Sequence, residues 1–160
     1  MPRFSPRPRN RFRAVRKFNY QTSLEYFHNR AGQMETRERK AEFFTEFQTS
    51  DRFEFVVEDT YEFLPRGFDI AREIVVPSRG YKQRYLRTAF QFGQQRRISG
   101  LVFGEAGAFY GDTRETFGYS SGRVNVTPRL YVEPGLSVNR VRLPFGDFTA
   151  TLMTPVRRSR

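Results

Sequence analysis

The alternation over residues 52–63, RFEFVVEDTYEF, constrains the fold most strongly. Its odd-numbered positions are mostly aromatic or aliphatic, and its even-numbered positions are mostly charged. Side chains on a strand point alternately to two faces, whereas a helix would scatter these residues around its circumference. The segment therefore predicts a strand with one apolar face and one charged face. Such a strand fits a soluble sheet lying on a core, and it fits equally a barrel strand between lipid and water.

The composition favours a β-sheet over a large helical core. Apolar residues make up 38% of the 160 residues and aromatic residues 16%, with 18 Phe, 8 Tyr and no Trp. Aromatic side chains are enriched in strands because they pack well on a pleated surface. The length suits a single domain. No apolar run reaches the roughly 18 residues of a transmembrane helix.

The net charge of +11 is concentrated at the two ends of the chain. Ten of the 28 basic residues lie in residues 1–17 and 154–160, which contain no acid, and the other 18 nearly balance the 17 acids. A basic groove requires positive charge on the folded body, so we do not expect nucleic acid as a partner. Residues 1–16 are predicted to be a basic, Pro/Arg-rich segment that is extended or disordered. Residues 154–160 are predicted to be a basic tail.

Residues 17–153 carry the pattern of an antiparallel meander. Alternating segments are separated by short turn sequences rich in Gly, Pro, Asn, Asp and Ser. The predicted strands are 17–26, 34–48, 52–63, 83–91, 99–110, 115–126, 130–139 and 147–153. Residues 64–80 are predicted to be a long excursion around one short apolar piece, Ile74–Val76. The sequence thus predicts an all-β, antiparallel up-and-down meander of about eight strands.

The predicted strand over 99–110 separates large side chains from small ones. The two faces carry Leu101, Phe103 and Phe109 against Gly100, Gly104, Ala106 and Ala108. Small residues on one face indicate little space there, as in a barrel lumen or a close-packed sheet. We therefore expect the small side to face the tighter surroundings.

No residue is predicted to act in catalysis, cofactor binding or metal binding. The chain has no Cys, which excludes disulfides, thiolate metal sites and a cysteine nucleophile. His28, the one histidine, lacks a surrounding catalytic pattern and is interpreted as a surface or interface residue. The glycines at Gly100, Gly104 and Gly107 lack the strand-turn-helix setting of a phosphate loop. We expect no cofactor.

Glu54 and Glu58 are the residues that a glycan-acting enzyme would use. They lie four residues apart on one strand, so about 13 Å separates their Cα atoms at roughly 3.3 Å per residue. Glycosidases place their two carboxyl groups about 5–9.5 Å apart. We interpret these glutamates as part of a charged face paired with Arg and Lys of neighbouring strands. The chain is therefore predicted not to be an enzyme.

Several segments together resemble a known family. In order, they are SPRPRNRFRAVRKFNY (5–20), LPRGFDI (64–70), VVPSRGY (75–81), GQQRRISG (93–100), FYGDTR (109–114) and VNRVRLPFGDFTATL (138–152). They resemble the C-terminal barrel-like domain of unknown function in large bacterial envelope proteins. Those proteins carry an N-terminal module similar to a family-nine carbohydrate-binding domain. The resemblance covers residues 4–152, and LPFGDF and QQRRISG are its most specific pieces.

The resemblance implies a segment of an outer-membrane-type β-barrel in a Gram-negative bacterium, with no catalytic residues. The export signal and the upstream module are absent from this chain, and the family continues past LPFGDF with further strands. We therefore expect a truncated piece whose barrel is incomplete. The expected partners are outer-membrane lipid, carbohydrate through the missing upstream module, and further copies through open sheet edges.

Two function hypotheses follow from the pattern and the resemblance. The leading one is a non-catalytic outer-membrane barrel segment with a structural, docking or uptake role. The alternative is a soluble β-sheet module that binds polysaccharide or nucleic acid through aromatic residues and Arg-rich tails. Folding in water or only with detergent or lipid would distinguish them.

Overall fold

The fold is all-β. The computed structural model describes residues 2–8, 12–30, 32, 34–72, 74–127 and 130–159, with side chains as far as residue 154. Parts of the predicted N-terminal segment (9–11) and of two predicted turns (31 and 128–129) lie outside the described residues. The strands are β1 (Arg3–Phe4), β2 (Val15–His28), β3 (Met34–Phe47), β4 (Arg52–Phe63), β5 (Phe68–Ala71), β6 (Ile74–Val76), β7 (Gly80–Phe92), β8 (Ile98–Phe109), β9 (Asp112–Thr127), β10 (Leu130–Arg142) and β11 (Phe148–Ser159).

Nine of these strands form one antiparallel sheet in the order β1-β2-β3-β4-β7-β8-β9-β10-β11. Strands β5 and β6 form a separate hairpin inserted between β4 and β7. The predicted all-β meander is confirmed, because each predicted strand corresponds to one long strand of this sheet. Within the described residues the first and last strands do not pair, so the sheet is open. No helix long and apolar enough to cross a membrane occurs in the part of the chain that is described.

Both ends of the chain take part in the sheet. Residues 154–159, predicted to belong to a tail, continue β11, whose pairing with β10 extends to Leu130↔Ser159. At the other end, Arg3–Phe4 pairs with β2, and the carbonyl of Pro6 accepts a hydrogen bond from the amide of Phe18 at 3.0 Å. Backbone groups of β2 and β10 thereby gain partners that a free tail would not supply. Proline suits such an edge position because it has no amide proton to leave unpaired.

Within the excursion predicted over 64–80, the structure has a hairpin, whose second strand coincides with the short apolar piece Ile74–Val76. The β5 strand, Phe68–Ala71, escaped prediction because it is short and has no clear alternation. The Phe68 ring contacts the Tyr110 ring in the β8–β9 turn, with centroids 5.6 Å apart. A Cβ atom added at Gly146, in the β10–β11 turn, would lie 3.0 Å from Cδ1 of Ile74. The hairpin therefore reaches over one end of the sheet to turns several strands away.

The sheet has two faces that differ in burial. Register pairs place one row of residues on the same face: Asn19, Phe44, Glu54, Ala89, Phe103, Gly118, Ser137 and Leu152. We call this the covered face, and the opposite one, which carries Phe55, the open face. Buried residues of the covered face are Asn19, Phe44, Val56, Tyr81, Ala89, Thr116 and Val141. Large exposed apolar residues of the open face are Phe4, Tyr20, Leu24, Tyr26, Phe55, Phe63, Leu86, Phe117, Leu136 and Met153. On the covered face Phe27, near the end of β2, and Leu152, on the edge strand β11, are also exposed.

This difference in burial arises within a single sheet. Apart from the β5–β6 hairpin at one end, no second sheet is present among the described residues to cover either face. A flat sheet would expose both faces equally. We infer that the sheet curls towards the covered face, as twisted antiparallel sheets do.

The expectation for the small residues of β8 is wrong. Ala106 and Ala108 are exposed on the open face, whereas Phe103 lies on the covered face. The ring of Phe103 is accommodated because it lies over Gly118 of β9, where an added Cβ would meet it at 2.5 Å. Space for large side chains on the covered face thus comes from a glycine on the neighbouring strand.

Candidate functional site

The covered face carries a row of ion pairs across five strands, which we call the ion-pair ladder. Its members are Glu42, Arg52, Glu54, Arg87, Glu105 and Arg114. Arg52 binds Glu42 at 3.4 Å and Glu54 at 3.1 Å. Arg87 then joins Glu54, at 3.5 Å, to Glu105. Arg52 and Arg87 each bridge two carboxylates, and Arg114 adds a pair with Glu105 at 3.9 Å, so the ladder connects β3, β4, β7, β8 and β9 through side chains.

Aromatic rings support the arginines of the ladder. The guanidinium of Arg52 lies 3.8 Å from the ring centroid of Phe44, and that of Arg87 lies 4.7 Å from that of Phe103. A cation over an aromatic face is attracted by the ring quadrupole. Ion pairing and ring stacking together offset the desolvation cost of these half-buried arginines. The charged face predicted for β4 is therefore an organised network.

The two glutamates considered for glycan chemistry are bound by different partners. The carboxylate of Glu54 lies between Arg52 and Arg87. Glu58 accepts hydrogen bonds from Tyr85 at 2.7 Å and from Thr60 at 3.3 Å. Both lie on the same face of β4, as the alternation predicted, and the structure shows that this is the covered face.

His28 and the remaining acids form no metal site. His28 is exposed at the end of β2, where its register partner is Met34. No group of three or more His, Asp or Glu residues that would hold a metal ion occurs among the described residues.

A buried carboxylate joins the β3–β4 turn to the β7–β8 turn. Asp51 is 5% exposed and accepts hydrogen bonds from Thr49, from the Gly93 amide at 2.8 Å and from Nε of Arg96 at 2.8 Å. A second nitrogen of Arg96 binds its other oxygen. The hydrogen bonds from Arg96, above all, hold the pKa of Asp51 far below its ordinary value of 3.8. We call these four residues the turn anchor.

The turn anchor had no signal in the sequence. Both turns were predicted, at 49–51 and 94–97, but Asp51 and Arg96 are 45 residues apart. Only the antiparallel pairing of β4 with β7 places the two turns side by side. A local pattern carries no information about such a contact.

The opposite end of the covered face is closed by Tyr110 and the β5–β6 hairpin. The Tyr110 hydroxyl donates a hydrogen bond to Glu62 at 3.0 Å. Burial, followed by this hydrogen bond, raises the pKa of Tyr110 to about 12. The Tyr81 ring packs edge-on against Tyr110, with centroids 5.0 Å apart. Tyr110 therefore stays protonated and links the hairpin to the sheet.

The open face carries an apolar band near the turn anchor. It consists of the open-face rows from Phe47 to Ala41 on β3 and their register partners on neighbouring strands. Its aromatic contacts are Phe18–Phe43, Tyr20–Phe43, Phe47–Phe90 and Phe90–Phe92, with centroids 5.0–6.2 Å apart. Several of its members, including Phe55 and Leu86, are exposed.

The candidate site is therefore a pair of surfaces, one charged and covered, the other apolar and exposed. One apolar and one charged surface suit contact with two different solvents. The family resemblance remains a prediction. No family model, no curated protein and no solved structure matches this chain.

Proposed function

We propose that this chain is a non-catalytic segment of an outer-membrane-type β-barrel in a Gram-negative bacterium, with a structural or docking role. In this proposal the open face meets lipid and the covered face lines an aqueous interior. The observation that carries the proposal is the reversed burial of the sheet. Apolar side chains such as Leu86, 48% exposed, and Phe117, 58% exposed, lie outside, while the ion-pair ladder is covered.

Physical chemistry favours this arrangement in a bilayer over water. Leaving apolar surface in water costs about 25 cal/mol for each Å². In lipid the same surface costs nothing, and the antiparallel ladder satisfies the backbone groups. Ionised side chains belong on the wet side of a barrel wall, where they are paired and hydrated. The resemblance to a barrel-like envelope domain supports the same assignment.

The lengths of the connections also support it. At the turn-anchor end, β3–β4 and β7–β8 are joined by short turns, residues 48–51 and 93–97. At the other end, the connections 110–111 and 143–147 are also short, but residues 64–79 form the longest excursion, which folds over the sheet. Outer-membrane barrels combine short periplasmic turns with longer extracellular loops. The turn-anchor end is accordingly assigned to the periplasmic side.

The open edges complete the proposal. The outer edge of β2 over residues 23–28 and the outer edge of β11 have no strand partner among the described residues. Exposed edges accept further strands through backbone hydrogen bonds. We assign them to pairing with additional strands that close the barrel, supplied by a longer chain or by a second copy.

Folding in different media tests this function. The chain is refolded by dilution into plain buffer, into detergent micelles and into phosphatidylcholine vesicles, and β-structure is followed by circular dichroism. Vesicle flotation and protection from protease report insertion. We expect β-structure and flotation only with detergent or lipid. A monodisperse, β-rich monomer in plain buffer would overturn the proposal and would favour the soluble binding module.

A further inference from the structure

A cluster of cations borders the apolar band on the open face. Register pairs form two adjacent rows, Arg39–Asp59–Arg84 and Arg37–Tyr61–Lys82, across β3, β4 and β7. We call the four cations of these rows the basic block. They lie on the side of the sheet that carries the exposed apolar residues, not on the side of the ion-pair ladder.

The basic block lies directly beside the apolar band. The next row towards the turn anchor is Ala41, Val57 and Leu86, and the row after it is Phe43, Phe55 and Thr88. On β2 the two rows of the block continue to Leu24 and Tyr26, which are 57% and 47% exposed. The block is thus the cationic border of the apolar band on these strands.

The block holds more positive than negative charge. Asp59 binds Arg37 at 3.3 Å and Arg84 at 3.1 Å. Glu35, two residues beyond Arg37 on β3, adds a second carboxylate. Four cations against two carboxylates leave a net charge of about +2 at neutral pH. The side chain of Arg84 is 73% exposed, and Arg39 and Lys82 are also exposed.

We propose that the basic block binds the phosphate groups of anionic lipid headgroups at the membrane surface. This inference rests on the proposed function, because it places the apolar band in the hydrocarbon. Along β3 the band extends from Phe47 to Ala41, about 20 Å at roughly 3.3 Å per residue. At the strand tilt of about 35–45° found in outer-membrane barrels, this length spans roughly 15 Å of their apolar height of about 25 Å, and the exposed Leu24 and Tyr26 extend the apolar surface on β2. The basic block then lies at the level of the headgroups.

The chemistry of the block fits a phosphate. Arginine presents a planar fork of donors that matches phosphate oxygens, and lysine adds a compact charge. Long cationic side chains at the end of an apolar surface extend towards the polar region and cover a small mismatch in thickness. Asp59 orients two of the arginines, so part of the conformational entropy is lost before a lipid binds.

Vesicles of two compositions test the proposal. The full chain is bound to vesicles of phosphatidylcholine alone and to vesicles of equal parts phosphatidylcholine and phosphatidylglycerol. The variant is Arg39→Gln/Lys82→Gln/Arg84→Gln. A control with the same charge change, Arg7→Gln/Arg13→Gln/Arg16→Gln, lies outside the block. A cation near an anionic membrane contributes roughly fivefold in affinity, so we expect the block variant to lose about a hundredfold for the mixed vesicles.

The control and the neutral vesicles make the result decisive. We expect the control variant to lose much less affinity, and both variants to insert into phosphatidylcholine vesicles as the parent chain does. Equal losses in the two variants, or no preference for phosphatidylglycerol in an inserted parent chain, would overturn the inference and leave the proposed function intact. Failure of the parent chain to insert into any vesicle would overturn both.

Free phosphate is distinguished in a third arm. Inorganic phosphate is titrated into the micelle-held chain and into the block variant. Phosphate binding that the variant loses, without any preference of the parent chain for phosphatidylglycerol vesicles, would assign the block to a soluble anion and overturn the lipid assignment.

Discussion

The two faces of β4 differ in how deeply their apolar side chains are buried. On the covered face Val56 is 3% exposed and lies between Glu54 and Glu58 in the strand. On the open face Phe55, the residue just before it, is 39% exposed. A soluble sheet buries its apolar side and hydrates its charged side. Burial in this sheet follows the charged side, so hydrophobicity in water does not explain its curvature.

Different interactions organise the two faces. The covered face is connected by ion pairs and by arginine–ring contacts such as Arg52–Phe44. The open face is connected by ring–ring contacts, and it carries charge at the basic block and, on β9 and β10, at Glu115, Arg140 and Arg142. Ion pairs weaken with salt and need both partners, whereas the contribution of ring–ring contacts depends on whether water or lipid surrounds them. Equivalent substitutions on the covered and the open face can therefore distinguish the two sets of interactions.

The largest effect is expected at the turn anchor, which belongs to neither face. Asp51→Ala leaves the Gly93 amide and Arg96 without their common acceptor. Asp51 is buried while Arg96 is 46% exposed, so the cost comes from losing several hydrogen bonds to a charged acceptor, each worth about 1.5–3 kcal/mol, and should total about 3–5 kcal/mol of unfolding free energy. Asp112→Ala, at the exposed first position of β9, is the control and should cost under about 1 kcal/mol. Urea titration followed by circular dichroism measures both, and a similar small loss in the two variants would contradict the anchoring role.

The next largest effect is expected when the same charge is placed on each face of β7 in turn. Thr88→Arg places a charge on the open face within the apolar band, and Gln83→Arg places the same charge on the covered face of the same strand. A cation on the lipid side of a barrel costs about 2–4 kcal/mol at mid-depth, whereas a lumen position tolerates it. We expect the first variant to insert poorly into vesicles and the second to insert normally. The reverse order would mean that the open face meets water.

The strands of this fold can be predicted from the sequence, because apolar residues that alternate with a period of two would not share one face of a helix. The predicted strand over 52–63 has the same bounds as β4, Arg52–Phe63. The segment 115–126, which contains two glycines, is part of the longest strand, Asp112–Thr127. Positive φ at Ser121 and a bulge absorb its irregularity. Backbone pairing on both sides therefore overrides weak propensity.

The assignment of the faces does not follow from the sequence. Alternation is symmetric, so it separates Phe55 from Glu54 without saying which side is covered. The small residues of β8 suggested the wrong side, because the glycine that makes room for Phe103 is Gly118 on another strand. Contacts of this kind, like Asp51 with Arg96, depend on register between distant segments. The residue pattern within one segment therefore cannot predict these contacts.

A smaller effect is expected when the ion-pair ladder is interrupted. Arg87→Met removes the cation between Glu54 and Glu105, whose side chains are 24% and 19% exposed. Partial hydration reduces the loss to about 1–3 kcal/mol of unfolding free energy. Arg84→Met on the open face, 73% exposed, should cost under about 1 kcal/mol. A double-mutant cycle of Arg87→Met with Glu105→Gln measures the pair itself, and additive losses would show that the ladder does not couple the strands.

The smallest effect at accessible pH comes from proton binding at Asp51. Its pKa is lowered in the folded chain, so between the folded value and the ordinary value of 3.8 only the unfolded chain takes up the proton. The stabilising contribution is therefore complete above pH 3.8 and is lost as the pH falls through the folded pKa. Unfolding free energy should decline below pH 3.8 more steeply in the parent chain than in Asp51→Asn, which keeps an acceptor but cannot titrate. Since salt screens the exposed ion pairs more than this buried one, the difference between the two curves should persist at high salt. Parallel curves would assign the acid response to the glutamates of the covered face and would leave the turn anchor without a role in it.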